Sequence, residues 1–288
     1  METSICLLVI NRIETLPVIA VNSILRLTNT KIYIGYLDRE HVSDLLLLPN
    51  TVGLDLSEQA VKYSFASSSS NYREFGSLDF FKLVQLKWDL ITEVNKIANP
   101  EILIYSDLDL IWLRNPINIC LNFFSLNQKC KLLIQDMTSD PCLPKLCMGF
   151  ACFKGGEGLE DFVRNLSSLH KNLLMNNPKI GDDDVVTQYF LENSATDEIR
   201  LLPQTTFPTG NLISLFLKSQ PLPGMKRVDP YIFHANFVVG LRKKLLLLYI
   251  FSKQFGSQKE SFSTSKRSSY FIEYQIRRVK YFLYKVKK

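Results

Sequence analysis

Two aspartates separated by a single residue, Asp107 and Asp109, follow the apolar run 102–105 and precede a second apolar group at 110–113. A run of that length reads as a buried strand. At the carboxyl end of a central strand, the acids would lie where open α/β sheets place their ligand crevice. In extended chain, residues two apart project to one side, so both carboxylates aim at one point while Leu108 turns to the core. Such a pair suits Mg²⁺ or Mn²⁺, which prefer oxygen ligands and complete their shell with water and substrate phosphate. The spacing alone is a weak signal. It also fits a turn in which one Asp caps the following helix.

Other positions could carry chemistry. Asp182, Asp183 and Asp184 follow Gly181 and open a helix expected over 185–191; acids there favour the helix dipole and its free N–H groups, but three exceed what a cap needs. His234 ends a strand expected over 231–234. Alone it reads as a hydrogen-bonded residue, whereas with a distant acid pair it becomes a third ligand whose nitrogen shifts the preference towards Mn²⁺. Lys87 falls on a helix expected over 78–97, where a lysine ordinarily keeps its ammonium in water. Gly149 either lets backbone approach a ligand or accommodates a bulge.

The elements that must position these residues follow from periodicity. Strand 5–10, helix 16–27, strand 31–36 and a helix around 42–48 predict a parallel sheet. Asn11 and Arg12 leave the first strand and Asp38 the second, in loops that would hold base and ribose in a nucleotide-binding sheet. Residues 65–77, with four serines in a row, read as a flexible loop suited to a lid. Strands are expected at 131–135, 148–154 and 199–202, and an amphipathic helix at 159–174 carries His170 as a surface or satisfied residue.

Composition narrows the class. The chain has 288 residues, 46% of them hydrophobic, enough for one large core or two small ones. Its net charge of +6 is uneven: residues 241–288 hold 13 Lys+Arg against 2 Asp+Glu, or +11, which leaves −5 for residues 1–240. Six cysteines without a C-x-x-C pair argue against a disulfide scaffold or a zinc site and fit a reducing compartment. The start METSICLLVINR lacks a basic signal-peptide region and no apolar block reaches transmembrane length, so a cytoplasmic protein is expected, peripheral on a membrane at most.

The segment Ser106-Asp107-Leu108-Asp109 with Trp112-Leu113-Arg114-Asn115-Pro116 resembles the metal-binding segment of the nucleotide-diphospho-sugar transferases, glycosyltransferases of the GT-A type. Cys147-Met148-Gly149-Phe150, the acids at 182–184, Phe207-Pro208-Thr209-Gly210 and His234-Ala235-Asn236 with Gly240 and Lys243 resemble further family segments in order. The resemblance implies an α/β GT-A fold, Rossmann-like, with a mixed, mainly parallel sheet over residues 1–244, followed by a basic helical extension over 245–288. It implies a Mn²⁺ or Mg²⁺ site at Asp107, Asp109 and His234. Asn11, Asp38, Lys87, Asp107, Gly149 and Lys243 would contact a nucleotide-sugar donor, most often UDP-linked, with Arg242 and Lys244 competing for the place of Lys243. Asp183 and Asp184 would stand for the family's catalytic Asp-Gln pair. Sliding the match by one residue puts Asp182 and Asp183 there instead. A carboxylate in the amide's place could stabilise a developing oxocarbenium ion or attack it.

Relatives mostly retain anomeric configuration, the departing phosphate oxygen helping to deprotonate the acceptor, here a glycan, lipid-linked or protein hydroxyl. The interleaved basic and apolar residues of 270–288 suit an anionic membrane surface or a helix packed on the domain. Two other readings are an inactive GT-A-like scaffold and nucleic-acid binding through the tail; the tail has no recognition motif, so no nucleic acid is expected.

Overall fold

The computed structural model describes residues 2–10, 15–63, 77–138, 144–210, 230–236, 238 and 240–255. The seven strands of its main sheet are β1 (Thr3–Val9), β2 (Lys31–Tyr36), β3 (Thr51–Asp55), β4 (Ile102–Ser106), β6 (Leu132–Asp136), β7 (Leu146–Lys154) and β8 (Ile199–Leu202), ordered β3-β2-β1-β4-β7-β6-β8. Every neighbouring pair is parallel except those made by β7, which runs antiparallel to both β4 and β6. The sheet is therefore mixed and mainly parallel, as expected. The chain works outwards from β1 to β3 and returns to β4 on the other side of β1. That reversal opens a crevice at the carboxyl ends of β1 and β4, where Asp107 emerges.

Alternation along the strands splits the core between two faces. Cys6 and Leu8 of β1 face one layer, packed by α2 (Ser57–Lys62), α3 (Leu78–Val84), α4 (Leu86–Ala98), α6 (Glu157–Asn176) and α7 (Asp182–Glu192). Ile5, Leu7 and Val9 face the other, packed by α1 (Leu16–Leu25) and α5 (Ile117–Leu126). A second, two-stranded sheet joins β5 (Leu110–Trp112) antiparallel to β9 (Ile232–His234). Leu110, Trp112 and Ile232 turn into the main core. Ile111 and Phe233 turn the other way, against α8 (Leu241–Phe255), where Leu245, Leu248 and Phe251 are buried and Phe233 stacks on Phe251 with ring centroids 3.5 Å apart. α8 runs across residues 244 and 245, between which the domain was expected to give way to the extension, and residues 256–288 lie outside the described residues. Among the described residues, no helix is long and apolar enough to cross a membrane.

The periodicity misled in two places. The helix expected at 42–48 is a 3-10 turn, Arg39–Val42, followed by irregular turns. The helix expected at 78–97 is two, α3 and α4, divided at Gln85. Of the serine-rich loop expected at 65–77, residues 65–76 lie outside the described residues.

His170 is fully buried, not at the surface. Its Nδ1 accepts the indole N–H of Trp88 at 2.9 Å and its Nε2 lies 3.2 Å from the Ile180 carbonyl. Accepting at Nδ1 leaves the proton on Nε2, which donates to Ile180; burial also lowers the imidazole's proton affinity, favouring this neutral form. His170 thus ties α4 to the turn that begins α7. His170→Phe fills similar space but strands both partners, which should destabilise the fold by about 1–3 kcal/mol. An unchanged denaturation midpoint would show that these two hydrogen bonds contribute nothing net.

Candidate active site

The short β5–β9 pairing sets Leu110 opposite His234, and the Ala235 N–H donates to the Asp109 carbonyl at 2.9 Å. Two segments 125 residues apart are thereby locked side by side. His234 Nε2 lies 3.1 Å from Asp109 Oδ1 and 3.8 Å from Asp107 Oδ2. One ligand-type atom from each of the three residues falls within 4.8 Å of the others. The route to this convergence differs from the expected extended chain. Asp107 continues the β4–β7 ladder, its N–H donating to the Gly149 carbonyl at 2.8 Å, and a turn at Leu108–Asp109 swings the second acid round.

This pocket concentrates charge. Burial disfavours the Asp109 carboxylate, but His234 and Lys244 outweigh it and hold the carboxyl below its usual range. Burial likewise opposes the His234 imidazolium, and Asp109 with Asp107 reverses that, so the ring's proton affinity is raised. Lys87 is buried between two acids, with Nζ 2.5 Å from Asp182 Oδ2 and 3.1 Å from Asp107 Oδ1. Its desolvation is overcome by Asp107 and Asp182, which keep the ammonium charged. Lys87 therefore does not reach out to water as a surface lysine would. The Tyr105 hydroxyl donates to Asp107 Oδ1 at 2.8 Å, and the Lys87 ammonium sits 4.8 Å from the Tyr105 ring centroid.

The three acids of α7 go three ways. Asp182 pairs with Lys87. Asp183 Oδ1 accepts the Met148 N–H at 2.7 Å, and burial, then the neighbouring Asp182, pushes its carboxyl up to about 7. Asp184 is exposed, and its Oδ2 reaches back to the Gly181 N–H at 3.0 Å, half of a capping box. Asp184 is thus a helix cap, and the pair turned towards the charged pocket is Asp182–Asp183, the second of the two registers the sequence left open. A helix's first turn fans successive side chains about 100° apart, so three adjacent acids cannot share one target.

A similar choice between neighbours arises in α8. Gly240, at a φ of 101° that favours glycine, turns the chain into the helix. Lys243 is exposed, whereas Lys244 pairs with Asp109 Oδ2. Lys244 shares a face with the buried Leu248, and that stripe fixes which lysine meets the acid. Gly149 is explained by His234: a Cβ there would lie 1.9 Å from the imidazole Cε1. β7 also slips against β6 nearby, Ala151 facing Ile134 but Cys147 facing Gln135. The Asp38 side chain accepts the Glu40 N–H at 2.9 Å, capping the 3-10 turn that follows β2. Asn11 lies outside the described residues.

Sequence reasoning passed over Tyr105 and Cys147. Tyr105 lies two residues before Asp107, and Cys147 two before Gly149, so strand alternation was the available signal for each. Cys147 Sγ stands 3.5 Å from His234 Nδ1, and burial raises the thiol well above its ordinary range, keeping it S–H.

The donor set of Asp107, Asp109 and His234 fits a divalent cation. Two anionic oxygens and an imidazole nitrogen converge, and in this arrangement both acids already draw positive charge, Asp107 from Lys87 and Asp109 from Lys244.

Comparison with known proteins bears on the same region. The structure is similar to LgtC, a galactosyltransferase crystallised with donor and acceptor sugar analogues (10% identity, 90% of this chain and 98% of that one, TM-score 0.57). It is also similar to mouse xyloside xylosyltransferase 1 (13% identity, 82% and 98%, TM-score 0.52) and to the glycosyltransferase GlyE of Streptococcus pneumoniae TIGR4 (16% identity, 91% and 66%, TM-score 0.53). At such identities the likeness establishes the GT-A fold. No curated protein sequence matches the chain. Residues 54–248, more than half of the chain, match the nucleotide-diphospho-sugar transferase family, a span that includes β4, both acid clusters and His234. The chain accordingly belongs to that family and is a glycosyltransferase.

Proposed function

We propose that the enzyme is metal-dependent, takes a UDP-linked sugar as donor and transfers it with retention to a glycan, lipid-linked or protein hydroxyl. The observation that carries this reading is the meeting of Asp107, Asp109 and His234 at the carboxyl edge of the sheet. These three residues would hold Mn²⁺ or Mg²⁺, the imidazole favouring Mn²⁺. When bound, such a cation supplies positive charge to the diphosphate, making it a better leaving group.

The chain's own residues supply the rest. Lys244 and Lys87 each hold an ammonium against one acid of the pair, where it can turn to phosphate oxygens, and Lys243 lies one residue away at the surface. Asp38, and by its place after β1 also Asn11, would receive ribose and base. Asp182 orients Lys87. Asp183 takes the position of the family's amide beside the sugar. With a carboxyl pushed up to about 7, it can present an O–H as an amide presents N–H, or a carboxylate to the developing positive charge. The +11 charge of residues 241–288 favours an acceptor displayed at an anionic membrane surface.

Purified protein should hydrolyse at least one of UDP-galactose, UDP-xylose and UDP-glucose only with Mn²⁺ or Mg²⁺, and Asp109→Asn should abolish both turnover and Mn²⁺ binding in calorimetry. Turnover unaffected by Asp109→Asn would remove the metal role.

The two acids of α7 should separate. Asp184→Ala loses only a cap, about 0.5–2 kcal/mol of stability, with turnover retained, whereas Asp183→Asn should lower turnover. Asp183 also makes a signed pH prediction. Its folded pKa lies above the unfolded value, so its contribution to stability is full at low pH and is lost as pH rises through about 7. The melting temperature of the wild type should therefore fall relative to Asp183→Asn between pH 5 and pH 8. A difference flat with pH would show that the carboxyl is unperturbed.

Removal of residues 270–288 should release the protein from vesicles containing phosphatidylserine. Undiminished co-sedimentation would exclude the tail as the membrane contact.

A further inference from the structure

A histidine that gives one ring nitrogen to a cation needs a partner for the other, because the hydrogen bond at the far nitrogen fixes tautomer and ring orientation. That partner is ordinarily a carboxylate, a backbone carbonyl or water. His234 turns Nε2 to Asp109 and Asp107, and its Nδ1 faces the Cys147 thiol at 3.5 Å. The ring has little freedom to turn elsewhere. It lies directly on Gly149, and the His234 backbone N–H is tied to the Pro208 carbonyl at 3.4 Å. Cys147 and Gly149 project from the same side of β7, so one strand supplies both the floor and the back wall of the imidazole.

The thiol is itself held. Asn236 Nδ2 lies 3.5 Å from Cys147 Sγ and also 3.5 Å from Met137 Sδ, while Asn236 Oδ1 accepts the Gly210 N–H at 2.6 Å. The Gly210 donor settles which end of the amide is oxygen, so Nδ2 must be the group presented to sulfur. A chain of contacts thus runs from Gly210 through Asn236 and Cys147 to His234.

A thiol differs from the ordinary partners in having both a weak donor and a weak acceptor. In the neutral ring with its proton on Nε2, facing Asp109, Nδ1 is an acceptor and the S–H can donate to it. With Nε2 engaged by a cation, the proton moves to Nδ1 and Sγ accepts. A carbonyl could serve only the second arrangement. We propose that Cys147 is the positioning residue for His234, its thiol orienting the imidazole and accommodating either tautomer as the Asp107–Asp109–His234 site loads a divalent cation. The inference rests on the reading of those three residues as a cation site.

Calorimetric titration of the full chain with Mn²⁺ alone tests it, in wild type, Cys147→Ala, Cys147→Ser and Asp109→Asn. Cys147→Ala should weaken Mn²⁺ binding by roughly 10–100-fold, the range for loss of such a partner. Cys147→Ser, which keeps a group able to donate and accept, should restore most of it. Side-chain ¹⁵N spectra of the metal-free protein should show the His234 Nδ1 resonance moved in the alanine variant and near its wild-type position in the serine variant. A purely packing role would lower the melting temperature of Cys147→Ala and leave its Mn²⁺ affinity intact. That result, with binding still lost in Asp109→Asn, overturns the role of Cys147 while the cation site stands. Serine failing as badly as alanine also overturns it, since volume and not hydrogen bonding would then be at issue. Mn²⁺ binding absent from every form, wild type included, removes the cation site and this proposal together.

Discussion

The antiparallel registration of β5 with β9 is the constraint on which the site depends. A backbone ladder with Leu110 opposite His234 brings together residues from the middle and the far end of the polypeptide, and one further bond, from the Ala235 N–H to the Asp109 carbonyl, seals the junction beside the acids. Backbone hydrogen bonds position side chains to a fraction of an ångström because pleat and strand spacing are fixed. The two-stranded sheet would be marginal alone. It persists because both its faces are buried, one in the main core and the other under α8 and the start of α1. The order of dependence runs from apolar packing, through register, to the convergence of Asp107, Asp109 and His234.

Electrostatics sets the next layer. Asp107, Asp109, Asp182 and Asp183 gather at one edge, and burying so many like charges is unfavourable unless cations stand among them. Lys87 and Lys244 do so from opposite sides, each delivered by a helix whose apolar face is fixed elsewhere, α4 on the sheet and α8 on β5 and β9. The proposed donor, bringing a divalent cation and a diphosphate together, would exchange its charges with the lysine pairs and leave the total nearly balanced. Asp183 is less well compensated and retains its proton into the neutral range.

Close packing explains residues that charge does not. Gly149 is small because an imidazole lies on it, and Gly155 because the Pro100 carbonyl passes where its Cβ would be. The buried Trp88–His170–Ile180 relay joins the helix of Lys87 to the turn before Asp182, so the two partners of one ion pair are braced by a contact made outside the pocket.

Much of this was legible in the residues. Period-two alternation and apolar runs identified β1, β2, β4 and β8, and the acids after 102–105 were correctly placed at a strand's carboxyl end. Short elements without a strong pattern, β3, α2 and α5, escaped notice, and α8 was anticipated only as a tail. At the site the residues left two choices open, Asp183–Asp184 or Asp182–Asp183 and Lys243 or its neighbours, and it is Asp182 and Lys244 that pair with charges in the pocket. Sequence by itself determined which chemical groups are available, in what order, and that an α/β sheet would gather them at one edge, because hydrophobic periodicity is a local property. Only the tertiary structure decided which member of each run of like residues points inwards. Helix phase is set by the neighbours a helix packs against, and no residue in a run of aspartates or lysines carries that information.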